Sequence, residues 1–538
     1  MESQQISNES LWELIPGEQL TRRQQRLRHE LFGKPLELYR FRQDPSHLNE
    51  IEVEANSGIM ILRTNRTIIF VGRTRPLSTE RRAIFFTLWL EKFPLNCAIY
   101  GKTDVAIAET ATWFWSLKHA ETKRAALHVN NTFPNVYGMP SRNFDFTVLR
   151  PDQLSRILES NPQRKLWLEV GTFSPEQAVI MATRPCTLNL EFVYGFLTEP
   201  ITDDGTAFLN ALEQRQTIFG SLCLHGSQAR AIPLSRVKME RLARLELFDN
   251  LTILFPNEES ALVPFSATAG EIHLQVRAEY VRPRDFDSLD IVTKNLDLTL
   301  YMPDVDNMDS RLISFLHRVT QLGYFESLGI TLQHRMMTMG TETAVQALIA
   351  AINNNPGLKY LKLGEMDFLF YEDSHLERVF HALSEHAGLR SINLDSYPEV
   401  DALPGSEEYN IQSQPYYSAL ERLLSRNRNL TVLGFGDKLI TNGTTIDKIY
   451  ALNKFFHGSA GLIRESEEMR SLLVGLALTE GASSKYQYTG LLLSNHTDML
   501  IEFVAEEWAL SGRLGSTPSA SDVSRPAADR LKRKREEQ

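Results

Sequence analysis

The chain's most regular feature is a spacing of apolar residues, L-x-x-L-x-L, in which the last two apolar positions alternate with polar ones. It runs through Leu358, Leu361 and Leu363, then Leu389, Ile392 and Leu394, then Leu430, Leu433 and Phe435, and upstream through Leu242, Leu245 and Leu247. The final pair alone recurs at Leu166/Leu168, Leu188/Leu190, Leu222/Leu224, Ile272/Leu274, Leu298/Leu300 and Ile330/Leu332. A period of two marks a strand with one buried side, so ten short strands are predicted between Leu166 and Phe435. Their last positions lie 22 to 41 residues apart, about 30 on average.

Between the strands, apolar residues fall three and four apart, the period of a helix with one apolar stripe. Segments 152–161, 206–214, 309–322, 343–355, 375–386 and 416–427 read this way, with Val345, Leu348, Ile349 and Ile352 on one face of 343–355. Ser174-Pro175-Glu176-Gln177 is an N-cap, a first-turn proline and a capping-box glutamine, while Asn161-Pro162 and Asn355-Pro356-Gly357 are stops. One strand and one helix cannot bury their apolar sides alone, so the units must stack. The predicted fold class is therefore α/β, a leucine-rich-repeat solenoid or horseshoe with a parallel sheet on its concave side and helices on its convex side.

The segments LKYLKL, NPGLKYLKL, RNRNLTVL, TNGTTIDKIYALNKFFHGSAGL, LLLSNHTDMLIEFVAEEW and DFDSLDIVTKNLDLTLYMP resemble ribonuclease-inhibitor-like leucine-rich-repeat proteins, and more closely a large set of such proteins in diatoms. The similarity covers about 140–514 and implies a protein-interaction solenoid without catalysis; it supplies no functional residues to carry over.

Five regions follow: a flexible segment at 1–35, a small α/β module or degenerate repeats at 36–139, the solenoid at 140–437, a helical cap at 438–514 and a disordered basic tail at 515–538. In the module, 68–73 and 97–101 read as strands and 79–93 as a helix. The cap has helical patterns such as TIDKIYALNKFF but no further leucine register, and a terminal repeat needs a polar cover.

Charge narrows the function. Lys and Arg number 57 against 67 Asp and Glu, a net −10, so the basic surplus that non-specific nucleic-acid binding draws on is missing and no nucleic acid is expected. Cys97, Cys186 and Cys223 are far apart, which removes a disulfide framework and a cysteine-rich zinc site. The first twenty residues lack a signal-peptide pattern and no apolar run approaches a membrane span. An intracellular chain without a membrane role, in the nucleus or the cytoplasm, is expected, and a monomer rather than an oligomer. Lys532, Arg533, Lys534 and Arg535 form a candidate nuclear-import run.

No catalytic, cofactor or metal site is predicted. Gly101-Lys102-Thr103 follows a strand like a phosphate loop, but Asn96 stands where that loop needs glycine. Asp304, Asp306, Asn307 and Asp309 lack the glycine and glutamate of a calcium loop. His375, His381 and His386 are six and five residues apart, not the four that puts two zinc ligands on one helix face. The chain is expected not to be an enzyme; the alternative is an enzymatic or ligand-binding activity in 36–130.

What remains is the solvent side of the sheet. The residues flanking the inward leucines are Trp167, Glu169, Asn189, Glu191, His225, Arg244, Glu246, Glu271, His273, Asp297, Tyr301, Gln333, Tyr360, Lys362, Asn393 and Asp395. They mix aromatic and polar groups as protein-binding surfaces do. Six acidic residues in this row face only Arg244 and Lys362, so the expected function is a scaffold that binds an unidentified protein through this face, and a partner with a basic segment fits its charge.

Overall fold

The computed structural model describes residues 11–30, 36–51, 58–73, 82–90, 94–119, 125–129, 144–169, 171–194, 201–302, 308–334, 342–366, 369, 373–395, 397, 407–464, 466–481 and 486–513. They form two compact units, 1–318 with 327–336, and 319–326 with 337–538.

The first unit is built on a mixed sheet of β1 (Trp12–Leu14), β2 (Leu38–Phe41), β3 (Ile59–Leu62), β4 (Ile68–Gly72), β5 (Ala83–Trp89), β6 (Pro94–Tyr100), β7 (Ala126–Val129), β8 (Lys165–Leu168), β9 (Leu188–Val193), β10 (Gly220–His225), β11 (Phe248–Leu254), β12 (Glu271–Arg277), β13 (Asn295–Met302) and β14 (Ser327–His334). β3 through β7 pair antiparallel, with β4 on β6, β6 on β5 and β5 on β7. From β7 to β14 every neighbour is parallel and in chain order. Residues 36–129 therefore share one sheet with the repeats.

The N-terminal segment is not loose where it is described. Ile15, Leu20 and Leu27, the last on α1 (Arg22–Glu30), pack with Leu38, Met60, Phe70, Phe85 and Tyr100 into a buried cluster. The opposite face of these strands is covered by α2 (Asp104–Trp115), whose Phe114 lies 5.7 Å from the Phe86 ring. Cover on both sides explains why 83–89 is a strand and not the expected helix. With Ile84, Phe86 and Leu88 buried on one side and Phe85 and Thr87 on the other, the strand reads as an unbroken apolar run rather than an alternation.

From β8 onward one face is covered. Inward residues such as Leu166, Leu222, Leu274 and Leu298 are buried and their neighbours half-buried. The covering layer contains α3 (Pro151–Ser160), α4 (Pro175–Thr183), α5 (Thr206–Glu213) and α6 (Arg236–Ala243), each packed on the one before. Ser174 caps α4 through the expected box with Gln177. Only 3-10 turns join β11 to β12 and β12 to β13; these are the shortest links of the array. Gly220 opens β10 with φ at +107°, and a Cβ there would lie 2.6 Å from the Leu188 carbonyl oxygen. Glycine is the one residue that fits this approach without strain.

A chain of buried rings runs under the strands. Phe86 meets Trp115 at 5.4 Å, Trp115 meets Phe146 at 6.2 Å and Phe146 meets Phe173 at 4.7 Å. It continues through Phe192, Phe208, Phe219 and Phe248 at steps of 5.7–6.4 Å.

The second unit repeats strand and helix with α8 (Glu342–Asn353), β15 (Tyr360–Gly364), α9 (Asp373–Glu385), β16 (Ser391–Leu394), α10 (Glu407–Arg426) and β17 (Thr431–Gly434). The helix α7 (Met308–Leu322) straddles the division between the units. β15, β16 and β17 are parallel, β18 (Lys438–Leu439) folds back antiparallel, and helices α11 (Thr445–Gly461), α12 (Glu467–Gly481), α13 (Tyr486–Asn495) and α14 (Thr497–Arg513) follow.

Two predicted strand registers are wrong. Leu242 lies in α6 and Arg244 is that helix's C-cap; the strand comes later, with Leu251 and Ile253 beside Leu222 and Leu224. In β17 it is Val432 that lines up with Ile392 and is buried, while Phe435 is 81% exposed. A one-residue slip reverses the side of every residue in a strand.

The helix ends are tied together by polar side chains of the following repeat, which supply donors to carbonyls in the last turn and just beyond it, where intrahelical partners run out. Asn161 and Arg164 donate to the carbonyls of Leu117 and Trp115 after α2. Arg215 donates to those of Ala182 and Arg184 after α4. Asn355 donates to that of Val319 in α7, and Asn427 to those of Leu383 and His386 after α9. Asn453 donates to that of Leu424 in α10. His386 holds the same place with Nδ1 accepting from the Leu389 N–H at 3.1 Å, which leaves Nε2 to donate to the Asn355 carbonyl at 3.0 Å.

Candidate functional site

Among the described residues no helix covers the other face of the first unit's sheet from β8 onward, and its side chains stand in straight rows. His128, Trp167, Glu191, Cys223, Thr252, His273, Asp297 and Gly329 are successive neighbours across β7 to β14. One step along the strands, the next row includes His225, Leu254, Gln275, Thr299 and Thr331. The rows begin beside a step. Phe85 lies under the cluster formed by α1, Thr87 is on its side of β5, and Thr87 pairs with His128. The cover thus ends near His128, and Trp167 stands on the open side.

At this step the groups are close. The His128 and Trp167 rings stack at 3.8 Å and 10°, and His128 Nε2 lies 2.9 Å from Glu169 Oε2. Lys165 Nζ is 2.5 Å from Glu191 Oε2 and 5.6 Å from the Trp167 ring centre. His225 Nδ1 is 3.5 Å from Glu191 Oε1. Burial opposes the charge of Glu191, but the neighbouring His225 and Lys165 outweigh that and hold its carboxyl below the usual range. The same surroundings act on Cys223 in the other direction: burial, and then the Glu191 charge, push its thiol up to about 12, so it is a thiol at neutral pH and a poor nucleophile.

Farther along, His273 sits between two carboxylates, 3.4 Å from Asp297 and 3.2 Å from Glu271. Asp297 first and Glu271 second raise its pKa to about 9 against the effect of burial. A group raised on folding stabilises fully below its unfolded value, about 6.5, and loses that contribution as pH climbs through the folded one. The His273 ring is expected to titrate near 9 by NMR, and the stability of this unit to fall between about pH 6.5 and 9. His273→Gln should flatten that part of the profile; an ordinary titration near 6.5 would contradict the arrangement.

Trp167, Glu169, Glu191, His225, Glu271, His273 and Asp297 are thus brought to one face, with Asn189 and Gln333 on the same sides of their strands. Other expected members are not. Arg244 and Glu246 lie between α6 and β11, off the sheet. Tyr301 is on the right side of β13, but the Phe255 ring 5.5 Å away covers it and it is buried. In the second unit Tyr360 and Lys362 are half-buried on β15, Asp395 follows β16, and Asn393 is buried, donating to Asp437 Oδ1 at 2.8 Å. Lys532, Arg533, Lys534 and Arg535 lie outside the described residues, as do Asp304, Asp306 and Asn307.

These placements alter the charge. On the face from β8 to β14 the carboxylates Glu169, Glu191, Glu271 and Asp297 stand with Lys165 and Arg277, and protonated His273 brings the two signs within one charge of each other. Lys165 and Arg277 were missed although they lie two and four residues from counted positions, because only residues flanking the last two leucines were taken. His128 was missed because its strand, ALHV, has no leucine register.

The other candidate motifs have local roles. Thr103 accepts from the Ala106 N–H as the cap of α2, and Asp309 lies in the first turn of α7. His375 is buried 3.4 Å from Glu342, and His386 closes the junction described above. Among the described residues no group of three His, Cys, Asp or Glu is arranged to hold a metal, and no helix is long and apolar enough to cross a membrane. Comparison of the chain with protein-family models and with curated proteins gives no match.

Proposed function

We propose that the strand–helix body is a ribonuclease-inhibitor-like leucine-rich-repeat solenoid, that the chain is a non-catalytic scaffold, and that a partner protein binds the open sheet face of β8–β14. The observation that carries this reading is the face itself. Seven parallel strands present aligned polar side chains, with Trp167 on the first of them, while the helices occupy the other side. A surface whose shape is set by strands presents its groups without ordering cost, which favours affinity. A basic segment suits Glu169, Glu191, Glu271 and Asp297. Because Glu169, Glu191, Glu271 and Asp297 have counter-groups within the face, long-range steering is weak and association should depend only shallowly on salt.

A photo-cross-linking residue placed at Asn189 or Thr252, on the open face, is expected to give a covalent product with a partner protein in a cell extract. The same residue at Val237, exposed on α6, is the comparison. Equal products from both positions, or product from Val237 alone, would overturn the reading.

A further inference from the structure

Glu191 is unusual for an open sheet face: it is only 6% exposed and still ionised. Removing a carboxylate from water is costly unless a cation offsets it. The fixed cation here is Lys165, whose side chain is 35% exposed. Its ammonium sits in a setting suited to a larger cation, with the Trp167 ring 5.6 Å from it and the Glu191 carboxylate on the neighbouring strand 2.5 Å away. One face of that ring is backed by His128 at 3.8 Å, which holds the indole in place. A planar guanidinium can lie on an indole and give two parallel N–H bonds to one carboxylate, whereas an ammonium is a compact point charge.

We infer that Trp167 and Glu191 form a recognition site for a guanidinium group, an arginine side chain of the bound partner, and that Lys165 is an internal placeholder which that arginine displaces. The inference rests on the reading that partners bind this face and adds the group they present. An attached competitor acts at a high effective concentration, on the order of millimolar. It weakens both cations by the same factor, so only the one with the stronger intrinsic hold on indole and carboxylate, the guanidinium, still binds.

The test uses the full chain and two small probes, Nα-acetyl-arginine amide and Nα-acetyl-lysine amide, with the Trp167 indole N–H resonance, assigned through Trp167→Phe, as readout. Arginine amide is expected to bind the wild type weakly and lysine amide more weakly still. Lys165→Ala should tighten the arginine probe by about tenfold or more and Lys165→Gln, which keeps the stem, by a similar factor. Lys165→Arg should abolish binding because the site is then filled from within. Glu191→Gln should abolish it too.

Equal affinity in wild type, Lys165→Ala and Lys165→Arg, no shift of Trp167 in Lys165→Ala at saturating probe, or binding that survives Glu191→Gln would each overturn the inference. Cross-linking at Thr252 together with such a result would leave the open-face reading standing; loss of cross-linking would remove that reading whatever the probes do.

Discussion

Phe192→Ala is expected to lower the stability of the first unit by about 3–5 kcal/mol, the cost of deleting a buried aromatic side chain whose neighbours cannot close the space. Phe192 is fully buried, with Phe173 at 6.4 Å and Phe208 at 5.9 Å, and so is a middle link in the run of rings from Phe86 to Phe248. Neighbouring repeats are held to each other partly through this link, so the loss should extend beyond β9. The measurement is a urea transition followed by tryptophan fluorescence, since Trp12, Trp89, Trp113, Trp115 and Trp167 all belong to this unit. Phe192→Leu should recover much of the deficit. A loss below about 1 kcal/mol for the alanine variant, within the range of ordinary surface changes, would show that the repeats do not depend on the contact.

Asn355→Ala should have a comparable effect in the second unit for a different reason. The side chain is fully buried; its Oδ1 accepts from the Phe325 N–H at 3.0 Å, and its Nδ2 donates to the carbonyls of Ala351 at 2.7 Å and Val319 at 3.3 Å. Alanine takes that partner from the Phe325 N–H and the Ala351 carbonyl, at about 1–3 kcal/mol for each buried group, while the Val319 carbonyl keeps the Gly323 N–H at 3.1 Å. A total of about 3 kcal/mol or more is expected, read as earlier proteolysis of residues 337–513 along a urea series. Asn355→Asp keeps an acceptor but loses both donors and brings a charge inside, so it should be no better than alanine. If alanine is tolerated within about 0.5 kcal/mol, water or a shifted neighbour satisfies these groups and the junction is not what holds α7 to α8.

The helices were legible in the sequence because their signal is redundant. The stripe of Val345, Leu348 and Ile352 and the capping box at Ser174 each survive an error of one residue. Strand registers were less so. At 242–247 the residues fit L-x-x-L-x-L, but Leu242 serves the inner face of a helix, and the pattern cannot tell a helix end from a strand start. At 430–435 a loop one residue shorter than its predecessor moves Val432 inward and turns Phe435 out.

Strand β5 failed as a helix because cover on both faces erases the alternation. Of the open face, Trp167, Glu191 and His273 were found from parity alone. Their pairings were not, because contacts such as Lys165 with Glu191 join strands whose separation in the chain carries no local mark. Asn161 and Asn355 looked like simple stops, and nothing in the chain reveals that they reach into the preceding repeat.

That reach gives the molecule a direction in time. On the ribosome the N-terminal end appears first, and a helix such as α4 or α9 emerges before the side chain, Arg215 or Asn427, that will satisfy its last carbonyls. A repeat joined in this way therefore leaves the exit tunnel with carbonyls that a side chain translated later will meet. The growing end stays soft while the segment behind it hardens, a vectorial maturation in which the helices after β17 act as the final closure: Asn453 completes α10, and His496 in turn donates to Ser459 in α11.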